Sequence, residues 1–500
     1  MDSTDHELKG CSYSQGQQQM VVQRITDVGY YYHLGEEELG PYAVDETSDP
    51  KFHTELAAKL GVEPKEILKA ALAEIDRPTC LDEIAEILGS TIRQDKATKL
   101  ILFCAMLLTF TEEDQINILL SSESAGGKSY NALEVVAYFP SNIVLLIATA
   151  SPTAFFHDAG KWDKEANVLK VDLRQKIIIF LDQPHYTLME KLRSLLSHDR
   201  RELLYKITDK SKRGALQTKN VILEGFPTVV FCAARFSLDE QERTRVFILS
   251  PETSQVKIEE SIRLSIARVG NREAFKEWID SNPRRMWLKS RIASIKAACI
   301  EDVIIENQEN IYNRFRDSHP CLAPRHQRDL PRILSLIKAH ALLNHRHRER
   351  RGQNSIIATK EDEDAGFHLY SLIAESNELG IPPQVYEIYE AVIKPLLVGD
   401  EGVSRKEIIR TYRELYGRPL ARKKLEEEIL PSLESAGLII EEPDPTDKRR
   451  RLVYPPNGGN ISHFEAHSRN VPPMSGASLD RHLQPGIRSL RDSQNFNTEN

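Results

Sequence analysis

The sequence predicts an α/β protein, with a three-layer core built on a parallel sheet, a helical region and then a smaller α+β domain. Short apolar segments of strand character alternate with helical segments along the core: INILLS (116–121), IVLLIAT (143–149), KIIIFL (176–181), TVVFC (228–232) and VFIL (246–249). Continuous apolar strands of this kind are typical of parallel strands that are buried on both faces. Because strands and helices alternate, we expect βα units that cover both faces of one sheet.

Composition is that of an ordinary globular protein. The 500 residues are 40% hydrophobic and 28% charged, which is enough for about two to four domains. No segment approaches the roughly 18 apolar residues of a membrane span, and the polar start MDSTDHELKG is not a signal peptide. We therefore expect a cytoplasmic protein. The formal net charge of −8 excludes a uniformly basic surface, but it leaves room for local basic patches.

The six cysteines form no CxxC pair, so neither a zinc site nor a disulfide framework is expected. Cys104 and Cys232 lie in apolar segments and are expected to be buried, reduced thiols. The basic segment from His345 to Arg351 contains an H-x-H pair. Without further ligands nearby, it is predicted to be a solvated helix end and not a metal site.

Composition and periodicity divide the chain into segments. They are a flexible leader (1–50), a small helical region (51–94), the α/β core (95–255), helices (256–398), a compact domain (402–456) and a disordered tail (457–500). The leader and tail are polar and lack apolar periodicity. Within the core, residues 203–224 predict a β-hairpin, because the strand-like arms LLYKIT and TKNVILE flank a polar tip that contains glycine.

The segment from Ser122 to Ser129 is a candidate phosphate-binding loop. It matches the P-loop template G-x-x-x-x-G-K-[ST] at its last three positions, whereas Ser122 replaces the first glycine. A strand enters the loop and a helix leaves it, so backbone N–H groups and the helix N-terminus can face phosphates. A chance GGKS in a linker is the alternative, which this context disfavours. The predicted ATP-binding residues are Ser124, Ala125, Gly126, Gly127, Lys128 and Ser129, with Lys128 on the β and γ phosphates and Ser129 on Mg²⁺.

A second ligand for Mg²⁺ is expected at the end of a neighbouring strand. Asp182 follows the segment IIIFL and fits this position. The next residue is Gln183, whose amide orients water without acting as a base. Slow hydrolysis or a different base is therefore expected. His185 and Glu190 are the nearby candidates for that base, although a structural role is favoured for each.

From about Leu81 to Leu372 the chain resembles the AAA+ motor of minichromosome-maintenance-type replicative helicases, including versions found on mobile elements. The resemblance is carried by IRQDKATKL (92–100), by the P-loop with Asp182, by the position of the hairpin, and by RDLPRIL (328–334) with KAHA (338–341) and ATKED (358–362). The resemblance implies that the helices after the core form the lid of the motor. The first 95 residues are too few for that family's large N-terminal DNA-binding domain, so the resemblance covers the motor only.

The resemblance also implies roles for individual residues. Arg328 matches the lid arginine that senses the γ-phosphate, with Asp329 capping the following helix. Arg245 matches the arginine finger that reaches a neighbouring subunit's ATP, and Arg243 is the alternative. For these arginines a plain surface position is the competing interpretation. The sensor position after TVVFC should be polar, but Cys232 stands there, which lowers the expected turnover rate more than nucleotide binding.

Two groups of cations are candidate DNA contacts. The hairpin tip carries Lys210, Lys212 and Arg213, which would track single-stranded or forked DNA through the pore of a ring. A solvated lysine-rich turn is the alternative. The C-terminal domain resembles a winged helix, which would bind duplex DNA: a capping box at Ser404 opens one helix, a second helix ends at Gly437, and a basic strand returns. Its predicted contacts are Arg422, Lys423, Lys424, Lys448, Arg449, Arg450 and Arg451. Docking of another protein is the alternative for this domain.

Together these features predict an ATP- and Mg²⁺-dependent AAA+ ATPase that self-associates as a hexameric ring and moves along or unwinds DNA during replication. It would lie at the nucleoid of a bacterial or archaeal cell. One alternative is a replication initiator or helicase loader, for which the hairpin would be dispensable. A second is an ATP-gated DNA-binding regulator without motor activity, which Gln183 and Cys232 would suit.

Overall fold

The structure is a computed structural model. It describes residues 77–122, 126–148, 160–182, 184–209, 217–233, 240–319, 321–398 and 401–456, together with the backbone of four strands nearer the N-terminus. The prediction of a disordered tail (457–500) and the first part, residues 51–76, of the predicted small helical region lie outside the described residues.

The N-terminal strands are β1 (Ser12–Gln15), β2 (Gln18–Thr26), β3 (Gly29–Leu34) and β4 (Glu37–Tyr42). They form an antiparallel sheet in chain order. This differs from the flexible leader expected for residues 1–50. The segments MVVQRIT and YYYHL are rich in β-branched and aromatic residues, and such residues favour strands. Short connections then let successive strands pair.

The core is a five-stranded parallel sheet in the order β13-β5-β12-β9-β6. Its strands are β5 (Ile118–Ser121), β6 (Val144–Ile147), β9 (Ile177–Phe180), β12 (Thr228–Ala233) and β13 (Phe247–Leu249). Each strand lies within one of the five predicted apolar segments, except that β12 extends one residue further, to Ala233. The prediction of an α/β fold with a parallel sheet is therefore confirmed.

Helices cover both faces of this sheet. They are α1 (Leu81–Gly89), α2 (Lys96–Leu107), α3 (Lys128–Val136) and α4 (Tyr186–Leu196). Alternate residues of a strand belong to different apolar clusters: Leu120 packs in the cluster that contains α2, and Leu119 packs in the one that contains α4. Because side chains alternate across a strand, the continuous apolar segments place a hydrophobic layer on each face of the sheet.

A second, four-stranded sheet contains the predicted hairpin. Its order is β10-β11-β8-β7, with β7 (Lys161–Asp163), β8 (Val168–Asp172), β10 (Glu202–Asp209) and β11 (Gln217–Glu224). The antiparallel pairing of β10 and β11 confirms the hairpin, with Glu202 opposite Glu224. The sequence analysis missed β7 and β8. Their four-residue turn holds no glycine or proline, and Asn167 adopts the positive φ of 52° that the turn requires.

Helices dominate after the core. Helix α5 (Glu240–Arg243) still precedes β13. The helices that follow β13 are α6 (Gln255–Gly270), α7 (Arg272–Asp280), α8 (Pro283–Ala297), α9 (Gln308–Ser318), α10 (His326–Leu343), α11 (Lys360–Ser371), α12 (Ala374–Glu378) and α13 (Pro383–Ile388). A small sheet was not predicted: β14 (Asp302–Ile304), β15 (Arg350–Arg351) and β16 (Ser355–Ile357). None of the described helices has both the length and the apolar content to cross a membrane.

The segment from His345 to Arg351 is only in part the solvated helix end predicted from the sequence: Arg346, His347, Arg350 and Arg351 are exposed, whereas His345 and Arg348 are not. His345 is buried, and burial lowers its pKa to about 3. Arg348 donates to both carboxylate oxygens of Asp362 at 2.7 Å. Basic side chains in a polar run can still turn inward where a buried carboxylate pairs with them.

The last described segment forms a separate hydrophobic cluster. It contains β17 (Val403–Ser404), α14 (Arg405–Tyr416), α15 (Arg422–Lys424), a π-helical turn (Leu425–Ile429), α16 (Leu430–Ser435), β18 (Ile440–Pro443) and β19 (Arg451–Tyr454). The capping box of Ser404 with Glu407 is present, and Gly417 ends α14 with φ of 67°. The cluster also includes residues from Ile381 to Leu397, so this core begins before the predicted boundary at residue 402.

Candidate nucleotide site

The predicted phosphate loop and its predicted partners meet at one edge of the parallel sheet. Parallel strands place their carboxyl ends at the same edge, where ligands of open α/β sheets bind. Ser129 Oγ lies 3.5 Å from the carbonyl oxygen of Leu181, next to Asp182. The hydroxyl of Ser129 is also a hydrogen-bond partner of Cys232, whose thiol feels the charges of Lys128 and Asp182. The structure therefore brings these predicted residues together.

The loop itself holds Lys128 in an internal contact. Gly127 caps α3 with φ of 87°, a conformation that favours glycine. Lys128 begins the helix, is buried, and donates from Nζ to the carbonyl oxygen of Ser122 at 2.7 Å. Ser122, which replaces the first glycine of the P-loop template, therefore lies next to the ammonium group of Lys128. Ser124 and Ala125 lie outside the described residues.

Asp182 does not lie on a strand adjacent to the P-loop strand, which is the position that the sequence analysis predicts. β12 lies between β5 and β9, so Cys232 at the end of β12 stands between the P-loop helix and the Asp182 loop. Burial raises the pKa of the Cys232 thiol to about 11, so this side chain is neutral and not a base at neutral pH. The hydroxyl of Ser129 and the exposed carboxylate of Asp182 are the oxygen ligands that Mg²⁺ prefers.

The other residues near Asp182 are less well suited to orient or activate water. Gln183 lies outside the described residues. His185 precedes α4, and its Nδ1 accepts a hydrogen bond from the backbone N–H of Thr187 at 3.3 Å. His185 therefore caps a helix, which is the structural role favoured for it. Glu190 is exposed on the same helix.

A cleft of about 450 Å³ opens beside the loop, between α3 and α6. Gly126 and Gly127 line its phosphate end. On its wall the guanidinium of Arg268 lies 4.7 Å from the centre of the Tyr130 ring and donates to the Tyr130 hydroxyl at 2.6 Å. Clefts of this size, with apolar walls and a few polar groups, are typical of small-molecule sites. The cleft has room for the nucleoside part of a nucleotide.

Asp95 organises the floor of this region, and the sequence analysis did not select it. Its carboxylate accepts hydrogen bonds from Asn131 Nδ2 at 2.7 Å and from the backbone N–H of Glu252 at 2.5 Å, and it pairs with Lys257 Nζ. Asp95 is buried in the left-handed conformation, with φ of 50°. It therefore ties the P-loop helix to the segment after β13. A lone aspartate before a helix predicts only a cap, and this one makes no cap contact.

The predicted arginine finger and lid arginine lie together, away from the phosphate loop. Arg328 Nη1 donates to the Thr244 hydroxyl, and Arg332 donates to the Thr244 carbonyl oxygen. Thr244 lies between Arg243 and Arg245, and Arg245 Nε contacts Ser197 Oγ at 2.5 Å. Arg243, Thr244 and Arg245 precede β13 and so lie at the amino edge of the sheet, and Arg328 and Arg332 are held there by their contacts with Thr244.

The register of the strands gives the distance between Arg245 and the candidate phosphate loop. Phe247 pairs with Ile118 and Leu249 with Leu120, so Arg245 lies near the level of Ile116. Ser122 lies six positions further along β5, which corresponds to roughly 20 Å at about 3.3 Å per residue. That distance exceeds the reach of an arginine side chain. Arg245 therefore does not serve the phosphate loop of its own chain in this conformation.

The predicted cap by Asp329 is wrong. Helix α10 begins at His326, so Arg328 lies in its first turn and Asp329 follows within the helix. Asp329 is buried and pairs with Arg325 at 2.8 Å and Arg332 at 3.4 Å. Burial lowers the pKa of Arg332 to about 10, so this arginine stays charged at neutral pH. Asp329 thus holds the arginines of this cluster in place.

The candidate DNA contacts differ in their surroundings. Lys210, Lys212 and Arg213 lie outside the described residues. Arg422 and Lys423 pair with glutamates one turn along their own helix, at 2.8 Å and 3.8 Å. Lys424 is half-buried on the same helix, and Arg451 begins β19. Lys448, Arg449 and Arg450 are exposed in the turn before β19, not in the strand predicted for them.

Among the described residues, one group has the spacing of metal ligands: His319, His326 and Glu378. Its ligand atoms lie within 4.8 Å of one another. His319 places one ring nitrogen 2.9 Å from Glu378 Oε1 and the other 2.9 Å from the Phe315 carbonyl oxygen. Both ring nitrogens of His319 thus have oxygen partners within the protein.

Comparisons with the known protein families and with curated proteins found no match to this chain. What the site can do therefore follows from its own geometry. That geometry combines a lysine and a serine at a helix N-terminus, a carboxylate nearby, and an arginine cluster at the opposite edge of the same sheet.

Proposed function

We propose that the protein is an AAA+ ATPase that works as a ring on DNA, as a translocase or helicase in replication. The observation that carries this proposal is the separation of the site into two halves. The phosphate loop lies at the carboxyl edge of the sheet, and Arg245 with Arg328 lies at the amino edge. In a closed ring with a head-to-tail interface, each subunit presents one half to its neighbour. An arginine supplied in this way stabilises the charge that develops during phosphoryl transfer.

The residues at the carboxyl edge suit Mg²⁺ and ATP. Lys128 would leave Ser122 and neutralise the β and γ phosphates, while Ser129 and Asp182 would hold the ion. Bound ATP supplies the phosphoanhydride bond that water cleaves. Neither Gln183 nor the neutral thiol of Cys232 is a strong base, so hydrolysis is expected to be slow without DNA or a neighbouring subunit.

Two features support action on DNA. The order of β17, α14, α15–α16 and the β18–β19 hairpin resembles that of a winged helix, and the cations Lys448, Arg449 and Arg450 are exposed in the turn between β18 and β19. The sequence between β10 and β11 contains three further cations. Phosphate contacts of this kind are independent of sequence and weaken as salt rises. A site of action at the nucleoid, in the cytoplasm, agrees with this proposal.

The decisive test combines ATP hydrolysis with strand displacement on a forked DNA. The wild-type protein should do both, and Lys128→Ala should lose both by at least about 100-fold, because a charged contact to the transferred phosphoryl group is removed. Lys176→Ala is the matched control. Its ammonium contacts only the Asn142 carbonyl oxygen among the described atoms, at the amino end of β9, and its activity should equal that of the wild type.

The outcomes separate the alternatives. If the wild type hydrolyses ATP but displaces no strand, the helicase assignment fails and a helicase loader or initiator stands. If it binds ATP with no hydrolysis even on single-stranded DNA, an ATP-gated DNA-binding regulator stands. If it binds no nucleotide, or if Lys128→Ala binds and hydrolyses ATP normally, the ATPase assignment itself fails.

A further inference from the structure

Lys257 places a second ammonium group beside the phosphate loop. It is the only buried residue of α6, and its side chain is 10% exposed. A Cβ atom built on Gly127 would lie 4.0 Å from Lys257 Nζ. Both residues line the same cleft. The lysine therefore points at the turn that precedes Lys128, and it comes from a part of the chain 129 residues further on.

The surroundings of Lys257 carry an excess of positive charge. Four cations line the cleft, namely Arg93, Lys257, Arg268 and Arg418, against the single lining carboxylate of Glu252, and Arg268 also pairs with Glu134 at 3.3 Å. Asp95 pairs with Lys257 from behind, but its carboxylate also accepts hydrogen bonds from Asn131 and from the Glu252 backbone. The positive end of α3 adds to this potential. A buried lysine next to a helix N-terminus is favourable when an anion occupies the cleft.

We propose that Lys257 is a phosphate ligand of the nucleotide site, which contacts the α or β phosphate of a bound nucleoside diphosphate or triphosphate while Asp95 holds it in place. This proposal rests on the proposed nucleotide-binding function and adds a ligand that the P-loop motif does not contain. The ammonium keeps its carboxylate partner on one side and gains the phosphate on the other. Nucleotide binding thereby engages α6, a helix that is otherwise exposed.

A purely structural role is the competing explanation, because a buried ion pair with Asp95 would also anchor α6 to the core. Lys99 separates the two explanations. It is a second buried lysine near Asp95, and its Nζ donates to the Ile92 carbonyl oxygen at 3.3 Å. Lys99 does not line the cleft. A substitution there changes a buried lysine without removing a phosphate ligand.

The experiment measures binding of ADP and of adenosine to the full-length protein by isothermal titration calorimetry. Lys257→Met keeps the length of the aliphatic chain and removes the charge. We expect it to weaken ADP binding by about 10- to 100-fold, as for loss of one charged hydrogen bond, and to leave adenosine binding unchanged. Lys257→Arg should retain most of the ADP affinity, and Lys99→Met should bind ADP like the wild type.

A second measurement avoids the question of whether the variants fold. Acylation of lysines in the wild-type protein, mapped by mass spectrometry, should show that ADP protects Lys257 more strongly than adenosine does, and that Lys99 is unaffected. Unchanged ADP affinity in folded Lys257→Met, or equal protection of Lys257 by adenosine and ADP, would overturn the proposal. A wild type that binds neither ADP nor ATP would instead refute the nucleotide site, which is a different result.

Discussion

At the scale of single residues, the structure contains networks of buried charged side chains that the sequence pattern does not predict. Asp362 accepts hydrogen bonds from His340 at 2.6 Å, from Arg348 at 2.7 Å and from the Thr359 backbone at 2.7 Å. Burial by itself would raise the pKa of Asp362. The hydrogen bonds outweigh burial and lower its pKa to about 2. Asp362 is thus a fixed negative centre that joins α10, α11 and the segment before β15.

Replacing Asp362 by Asn should destabilise the protein by about 3–5 kcal/mol, because it leaves buried partners without their charge. The carboxylate stabilises the fold once it is ionised, that is, above its ordinary pKa of 3.8. The difference between the wild type and the variant should therefore be constant from about pH 7 to about pH 4. It should narrow below about pH 4, as the pKa of the folded state is approached.

Urea unfolding at several pH values measures this difference. Asp364→Asn on the same helix is the control, since its ion pair with Arg314 is exposed and contributes at most about 1 kcal/mol. Equal unfolding midpoints for Asp362→Asn and the wild type at pH 7 would contradict the role given to Asp362.

The cysteines provide a second test at this scale. Burial raises the pKa of Cys232 to about 11 and that of Cys104 to about 12. At pH 8 only about one Cys232 thiol in a thousand would be ionised, and the thiolate is the reactive form. The exposed Cys80, Cys299 and Cys321 should be alkylated first by iodoacetamide, and Cys104 and Cys232 only on unfolding. Peptide mapping by mass spectrometry would detect early modification of Cys232, which would show that the P-loop helix does not shield it.

At the scale of elements, the strands of the core are predictable because each is a short apolar segment bounded by polar residues. The β10–β11 hairpin is equally clear from its polar, glycine-containing tip. In contrast, β7 and β8 were missed because their turn has no glycine or proline signal, and β14 to β16 because they are only two or three residues long. Strands this short are specified by their neighbours and not by their own periodicity.

The prediction at this scale concerns the three cations between β10 and β11. Alanine at Lys210, Lys212 and Arg213 together should abolish strand displacement and leave basal ATP hydrolysis within about twofold of the wild type. The salt dependence of single-stranded DNA binding should fall by about two units in slope, since each lost phosphate contact accounts for about 0.7.

Lys161→Ala combined with Lys164→Ala is the matched control for the hairpin. Both lysines are exposed on the β7–β8 hairpin of the same sheet, and this double variant should unwind DNA normally. Normal unwinding by the triple variant would show that the tip is a solvated loop without a role in the motor.

At the scale of the whole molecule, the two halves of the proposed site face opposite edges of one sheet. Mixing two inactive variants tests whether neighbouring subunits complete each other's sites. Lys128→Ala retains its arginines, and Arg245→Ala retains its phosphate loop. If sites are shared, an equal mixture should recover up to about a quarter of the wild-type ATPase rate, because random assembly pairs an intact loop with an intact arginine at that frequency.

The control for the mixing experiment is a chain that carries both substitutions. Mixed with either single variant, it should recover no activity, because every site then lacks an intact loop or an intact arginine. No recovery in the mixture of single variants, with each protein shown to assemble, would mean that Arg245 acts within its own chain or not at all.

By itself, the sequence determined the parallel α/β core, the β10–β11 hairpin and the glycine turn of the candidate phosphate loop, because each depends on local pattern: continuous apolar strands, a polar tip, and a glycine turn between strand and helix. Only the tertiary structure decided which distant side chains meet. It brought Asp95 and Lys257 to the loop, put Cys232 between Ser129 and Asp182, and moved Arg245 and Arg328 to the far edge. Strand order and register set these distances, and no local pattern encodes them.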